Sequence, residues 1–599
     1  MQFAKTFLAL FAATLSAAVL PTTFAHAADK AVLAQRAAAT QSVEFDVFLP
    51  LAHRDDLATL VAAQHDSSSP SYHQWIKPAE FKARFGASDA TVAAVRQQLE
   101  AYGLTTTLVS QQRIHVSGSA NAVEQAFATQ LHNGTYASGR KTVAAATPLS
   151  LPGTLTANGA VVTGLSGFIR MRPHSRRLAT PLNRYSSAGP YWFDDLKQAY
   201  KFPSYKVYTG KGVTIGILMS GDYNPADMAK FFAHEKLAVP KMSTVNINGG
   251  APYDPNGSTE THLDMQQTGG MAPNASIVLY NVPDLSDTNI LSALGTIIDS
   301  NQADIVNMSF GGPELFYTPA YNDGQDFTNI LGIYDDVFKQ GNAQGITFVA
   351  SSGDLGALDA PPLACFDPNA TSACGSMQPS VETPASSPHV TGVGGTNLAT
   401  TYTSGSGSLD SKYVSEQAFG DPLAADIFFG TPATGGIWGS GGGVSIYHKK
   451  PLFQWLVNTG SNYRTVPDVA GHMGGCPLGA ITPCPASDSA DVVAIDGGFY
   501  GVVGTSASAP DFAGLLALKV ERYGSRLGNE NPEIYALAAL QNIGFPLQIY
   551  HDNVPGFNGL YSTKKGYNRV LGNGTVIGIN FLLAPWVPTA GTPQTPSNP

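Results

Sequence analysis

The chain has 599 residues, 43% of them hydrophobic and only 13% charged, with a formal net charge of -10. That length exceeds one ordinary domain and can bury a large core; the negative balance, with no long Lys/Arg run, gives no sign of a nucleic-acid partner. With 62 glycines and 40 prolines the composition suggests a loop-rich enzyme, and sparse carboxylates limit the charge imbalance on acidification, which is compatible with work at low pH.

Residues 1–27 read as a secretory signal peptide. Lys5 lies in a short n-region, 8–20 is an apolar h-region, and Ala25-His26-Ala27 is a small-residue cleavage site. No other segment reaches the roughly 18 apolar residues of a membrane span. The mature chain is therefore expected to be soluble and secreted, extracellular or periplasmic, with no membrane partner. Residues 41–172 read as a small α+β unit. Positions 43–49 alternate like a strand, 54–64 and 90–102 are helical in period, and 106–117 returns to strand alternation. The stretch 173–188, with Arg176, Arg177 and Thr180-Pro181, reads as a basic, exposed linker where proteolytic nicking is expected.

From about residue 189 strands and helices alternate. Positions 213–219, 277–280, 305–309 and 347–350 are apolar runs, separated by helical patterns over 226–236, 289–299 and 327–341. This pattern predicts a doubly wound parallel sheet with its functional groups beyond the carboxyl ends of the strands. The four cysteines allow three pairings, and the two local ones, Cys365–Cys374 and Cys476–Cys484, are favoured. A zinc site is the competing reading, weakened by the absence of C-x-x-C spacing and of a histidine pair. Residues 402–409 form a Gly/Ser loop, and 584–599 a Pro/Thr tail expected to be disordered.

The chemistry centres on Gly504-Thr505-Ser506-Ala507-Ser508-Ala509-Pro510, which follows an apolar run and opens a helical pattern. A serine there has an exposed hydroxyl and free first-turn N–H groups. The positive helix end favours an anion, such as the oxyanion of a tetrahedral intermediate. Taken alone, the same junction is an N-cap serine before a buried helix. Glu260 and Asp264 are spaced i, i+4, which on a helix sets them on one face about 5–6 Å apart at Cβ. Such a pair titrates as a unit with one member holding a proton, leaving a carboxylate base able to accept a serine proton in acid. An isolated pair of this spacing is otherwise an exposed acidic helix face. Asp354 follows an apolar strand in Ser351-Ser352-Gly353-Asp354; alone it reads as an Asx turn or an N-cap. None of the thirteen histidines sits in an H-G-T-H-like context, and the first strand ends Met219-Ser220-Gly221 where a Ser-His-Asp enzyme would want its aspartate.

Together E-x-x-x-D, S-S-G-D and G-T-S-A-S-A-P, in this order, resemble the sedolisins, or serine-carboxyl peptidases. Segments 307–312, 384–396, 441–445 and 466–469 match as well, and 72–86 resembles the activation propeptide of the kumamolisin/sedolisin family. The resemblance runs from about 41 to 578. It implies a subtilisin-like, doubly wound parallel-sheet catalytic domain over 189–580, preceded by a ferredoxin-like α+β prodomain over 41–172. It also implies a secreted, self-processing proenzyme, monomeric, that acts on proteins or peptides and carries its propeptide as intramolecular inhibitor and chaperone. In this family pattern Ser506 is the nucleophile and Glu260 the general base. Asp264 orients Glu260 and shares its proton, while Asp354, protonated, completes the oxyanion hole with the Ser506 N–H. Unperturbed carboxyl pKa values near 4 then place the optimum at roughly pH 3–5.

Two departures stand out. The family's single Ca²⁺ site maps onto Asp552, Asn553, Lys564, Gly566 and Asn568. Its last carboxylate has become Asn568 and two lysines crowd the loop, which implies weak calcium binding, or a calcium-free turn in which a lysine ammonium partly replaces the ion. Phe310 stands where the family commonly has a tryptophan. A tripeptidyl exopeptidase of the same fold remains open. So does a catalytically silent secreted binding protein, although the intact set of Glu260, Asp264, Asp354 and Ser506 argues against it.

Overall fold

A computed structural model describes residues 29–177, 189–366, 374–401, 411–422, 435–475 and 489–584. The signal segment, the Cys476–Cys484 pairing, the Gly/Ser loop and the C-terminal tail lie outside the described residues. Cys365 and Cys374 are bridged, with Cα atoms 5.1 Å apart. No described helix is long and apolar enough to cross a membrane.

The N-terminal unit is built on a four-stranded antiparallel sheet. Its spatial order is Thr105–Ser110, Arg113–Ser119, Ser42–Phe48 and Val161–Thr163, which with its helices is the ferredoxin-like arrangement. Alternation in Ser42–Phe48 buries Phe45 and Val47, and Phe45 packs edge-to-face on Phe127 of the helix Ala120–Phe127 at 5.3 Å. Helices Asp89–Glu100 and Ala120–Phe127 begin at serine caps, Ser88 and Ser119, whose hydroxyls accept from Thr91 and Ala122 N–H. The single strand expected over 106–117 is a hairpin turning at Gln111-Gln112. Two further strands, Asp29–Lys30 and Val32–Arg36, lie N-terminal to residue 41.

This unit docks on the larger one through the helix Asn329–Ala343. Leu57, Val61, Ile76, Phe81 and Phe85 form one cluster with Ala343, and Gln64 Nε2 donates to the Ala343 carbonyl at 3.0 Å. Arg54 pairs with Asp336 and Arg140 with Asp284.

The larger unit carries a sheet ordered Lys241–Asn246, Ser276–Val282, Thr214–Ser220, Ile305–Met308, Thr347–Ser351, Thr391–Thr400 and Val469–His472, all parallel. Its inner strands are buried along nearly their whole length, the outcome of near-continuous apolar runs covered by helices on both faces. Against this sheet pack Thr259–Met271, which carries Glu260 and Asp264, and Thr505–Tyr523, which carries Ser506. All thirteen residues of Thr259–Met271 are buried, so it is not a helix with an exposed acidic face. It crosses the Ser506 helix closely, and a Cβ at Gly514 would overlap Met271 Cβ. The absence of a side chain at Gly514 therefore sets the spacing between the two helices that carry the site.

Gly514→Val should force those helices apart. The expected cost is about 1–3 kcal/mol, the usual scale of core overpacking, read as a lower urea midpoint of the full-length Ser506→Ala chain. An unchanged midpoint would mean that the helices have room to spare.

Candidate active site

Strand Gly498–Val503 delivers the chain to Gly504, which has φ 137°, a backbone conformation that residues with a Cβ rarely adopt. A side chain there would also run into the His174 carbonyl and would come within 2.6 Å of Asp354 Oδ2. The helix starts at once, so the Ser506 N–H has no intrahelical partner. It donates to the carbonyl of His174 at 3.1 Å, while Ser506 Oγ donates to the Ser309 carbonyl at 3.2 Å. Ser506 is fully buried, contrary to the expectation of an exposed hydroxyl, because residues 172–177 lie over it.

The helical spacing brings Glu260 and Asp264 together beneath Ser506. Glu260 Oε2 accepts from Ser175 Oγ. Asp264 Oδ1 accepts from Ser309 Oγ at 2.5 Å, and Asn307 Nδ2 donates to the same hydroxyl at 2.9 Å. Glu260 Oε1 and Asp264 Oδ2 have no hydrogen-bond partner. Burial, then the charge of Asp264, pushes the Glu260 carboxyl far up, against the pull of the Ser175 and Ser506 hydroxyls. Burial also raises Asp264, with the Ser309 and Asn307 side chains opposing. Two such groups hold one negative charge between them more readily than two. His262, on the same helix, is used structurally. Its Nε2 accepts from Asn224 N–H at 3.1 Å, and its Nδ1 is therefore assigned as donor to the Ala494 carbonyl at 2.8 Å.

Asp354 follows the strand Thr347–Ser351. Its Oδ1 accepts from Thr505 N–H at 2.7 Å and from Thr505 Oγ1 at 2.8 Å. Its Oδ2 has no partner and faces Gly504 beside the His174 carbonyl. Burial pushes this carboxyl up to about 6, with His174 and Thr505 opposing. An acid that holds its proton on Oδ2 is a hydrogen-bond donor aimed at the spot where that carbonyl oxygen lies. The four residues singled out from sequence thus converge on one place.

The first residues of the expected linker are not exposed. Arg172, His174 and Ser175 are buried, and the chain from 172 to 177 lies along the cleft as a strand. Arg172–Pro173 pairs antiparallel with Phe310–Pro313, His174 N–H donates to the Ser309 carbonyl at 3.2 Å, and Arg176–Arg177 pairs antiparallel with Gly498–Val503. Beside it lie two acids that sequence reasoning missed, Asp359 and Glu382. Glu382 lies two residues before the matching segment 384–396, the one sequence signal that could have drawn attention to it. Phe310, in place of the common tryptophan, is buried apolar packing beside this strand.

The residues implied for calcium form a different kind of turn. Asn568 Nδ2 donates to the carbonyls of Lys564 and Gly566 at 3.2 and 3.3 Å, and its Oδ1 accepts from Val570 and Leu571 N–H at 3.1 and 3.0 Å. Gly566 N–H donates to the Asp552 carbonyl at 3.0 Å, and Asn553 is exposed. Flipping the amide would set oxygen against two carbonyls and NH₂ against two donors, so the orientation is fixed by its partners. Two of the carbonyl oxygens a cation would need, those of Lys564 and Gly566, are thus engaged by an amide NH₂. This donor set does not fit Ca²⁺. The neutral group inside the turn is Asn568, not a lysine ammonium.

Comparison with known proteins agrees with this geometry. Residues 29–168 match the pro-kumamolisin activation domain and 210–543 the subtilase family. The chain is 28% identical to kumamolisin of Bacillus sp. (strain MN-32), covering 92% of this chain and 93% of that protein. It is 27% identical to sedolisin of Pseudomonas sp. (strain 101), over 90% of this chain and 86% of that one. The solved Pseudomonas sedolisin, a serine-carboxyl proteinase in complex with two molecules of pseudo-iodotyrostatin, superposes with a TM-score of 0.53 at 26% identity, covering 66% of this chain and 98% of that one.

The raised Asp354 carboxyl has a measurable consequence. Its folded value of about 6 exceeds its ordinary 3.8, so the stability it contributes is full below the ordinary value and is lost as pH rises through the folded one. Asp354→Asn, which cannot ionise, escapes that loss. In a Ser506→Ala background, the unfolding free energy of the Asn variant relative to its parent should therefore climb between pH 4 and pH 6–7. A pH-independent difference would mean that Asp354 is not held protonated.

Proposed function

The chain belongs to the sedolisin branch of the subtilase family and carries its own activation domain, and on that premise we propose that it is a secreted, acid-active endopeptidase that starts its maturation by cutting His174–Ser175. The observation that carries this reading is the His174 carbonyl, held by Ser506 N–H at 3.1 Å with Ser175 Oγ on Glu260. That arrangement supports reading His174–Ser175 as the scissile bond, with Ser506 as nucleophile and oxyanion donor and Glu260 as base.

In this reading Ser506 Oγ attacks the His174 carbonyl carbon and its proton passes to Glu260. The oxyanion is met by Ser506 N–H and the Asp354 hydroxyl. Glu260 returns the proton to the departing Ser175 amine, and water, deprotonated by Glu260, hydrolyses the acyl-enzyme. Asp264, positioned by Ser309, shares a proton with Glu260, so that the pair carries one negative charge and Glu260 can act as the base. Both the base and the oxyanion donor are carboxyl groups, which is the argument for work in acid. The exported state rests on the signal-like segment 1–27. The cleft takes a chain that continues unbroken on both sides of His174, with Met171 and Arg170 buried upstream. That favours endopeptidase action over a tripeptidyl enzyme, which needs a free amine three residues before the cut.

Incubation of the purified proenzyme near pH 4 should yield a first new N-terminus at Ser175, together with casein hydrolysis. Ser506→Ala should do neither, and Glu260→Gln and Asp354→Asn should each lose at least about 10²–10³-fold in kcat, the scale of one oxyanion donor or general base. A first cut elsewhere, or activity peaking near neutral pH, overturns this reading. In addition, excess EDTA should leave both the activity and the thermal midpoint unchanged, because the Asn568 amide fills its turn; a fall in either would restore a structural calcium ion.

A further inference from the structure

Resting on the reading that the docked linker occupies the cleft as a substrate does, the surroundings of Arg172 bear on what the mature enzyme accepts. An extended strand sends residues i and i+2 to the same side, so Arg172 and His174 face one wall and Pro173 turns away. Arg172 Nη2 lies 3.2 Å from Asp359 Oδ1 and 3.1 Å from Glu382 Oε1. His174 Nε2 contacts Glu382 Oε2, and its Nδ1 lies 2.7 Å from Ser351 Oγ. Arg172, Asp359 and Glu382 are each 1% exposed.

Asp359 and Glu382 take no part in the bond-breaking steps, and among the described residues the cations paired with them, Arg172 and His174, come from the linker, which departs with the prodomain. Two acids this close hold a shared proton and one negative charge. Burial first, then their mutual repulsion, raises Asp359, and burial raises Glu382. One guanidinium balances that single charge while hydrogen-bonding to both acids. An ammonium is a point donor on a flexible stem and spans two carboxyls less well. A buried charge left without its partner is costly.

We propose that Asp359 and Glu382 form an arginine-recognition subsite, so that the mature enzyme selects peptides with arginine two residues before the residue whose carbonyl is attacked. The pair acts on affinity and positioning at that subsite, not on the chemical step.

The test uses the processed wild-type enzyme at about pH 4–5 with internally quenched peptides spanning Met-Arg-Pro-His-Ser-Arg-Arg. Replacing the first arginine by leucine should lower kcat/KM for the His–Ser bond at least about tenfold, the scale on which a site built to hydrogen-bond a substrate group rejects its absence. Lysine should fall between the two. In Asp359→Asn or Glu382→Gln enzyme, released from its prodomain by wild-type enzyme in trans, the arginine-over-leucine ratio should shrink towards one. Equal rates for arginine and leucine at that bond overturn the subsite while leaving the peptidase reading intact. Casein hydrolysis with the linker peptide cut at another bond overturns the docking on which the subsite rests. Loss of casein hydrolysis as well removes the peptidase reading itself. The wild-type peptide series needs no variant to fold.

Discussion

Burying carboxyl groups without matching cations is the constraint behind this site. Glu260, Asp264 and Asp354 are 2%, 0% and 0% exposed, and among the described residues none is salt-bridged to a lysine or arginine; Arg172 of the docked linker pulls on Asp354 only after His174 and Thr505. An ionised carboxylate in such a place loses its hydration, and the group answers by keeping its proton. The protein does not correct this with salt bridges. It supplies neutral donors, Ser309, Asn307 and the Thr505 N–H, which position each group and permit one charge without enforcing three. The result is a set of weak acids of adjustable protonation where other serine enzymes use an imidazole.

The linker is part of the same electrostatic arrangement. With residues 172–177 in place, the cleft is closed to water, the His174 carbonyl meets the donors meant for an oxyanion, and Ser175 Oγ occupies the base. Ser506 Oγ meanwhile donates to the Ser309 carbonyl. The nucleophile and its base are close, but each is held by another partner. On the proposed reading, latency needs no displaced helix or distorted strand, since the four residues already stand together around the docked chain.

Much of this was legible in the sequence because it is local. Apolar runs such as Thr214–Ser220 mark strands buried on both faces, and the i, i+4 spacing of Glu260 and Asp264 needs only a helix to bring them together. The hairpin Thr105–Ser119 was missed because its turn, Gln111-Gln112, carries neither glycine nor proline. The docking of the chain at 172–175 was missed because polar and charged residues are ordinarily exposed; Arg172 was read as the end of the preceding unit, and His174 and Ser175 as part of an exposed linker. What buries Arg172 lies 187 and 210 residues further along the chain, at Asp359 and Glu382, beyond any local pattern. Asn568 illustrates a third limit. Loss of a carboxylate was evident, but only the fold revealed that its amide donates to two carbonyls and so occupies the turn itself.

The pH dependences of the linker and of the site run in compatible directions. His174, packed among Arg172, Asp354, Asp359 and Glu382, is pushed down to about 4 by burial and then by Arg172, against the pull of the acids. A group depressed in this way contributes stability above its ordinary value near 6.5, and that contribution is lost as pH falls towards 4. The His174 contribution to docking is thus full at neutral pH and gone only near pH 4. Asp354 behaves oppositely, since acid restores the proton that lets it donate to an oxyanion. As pH falls from neutral towards 5, Asp354 therefore regains its proton while His174 in the docked linker is still mostly neutral, so the donor set is completed with the segment in place.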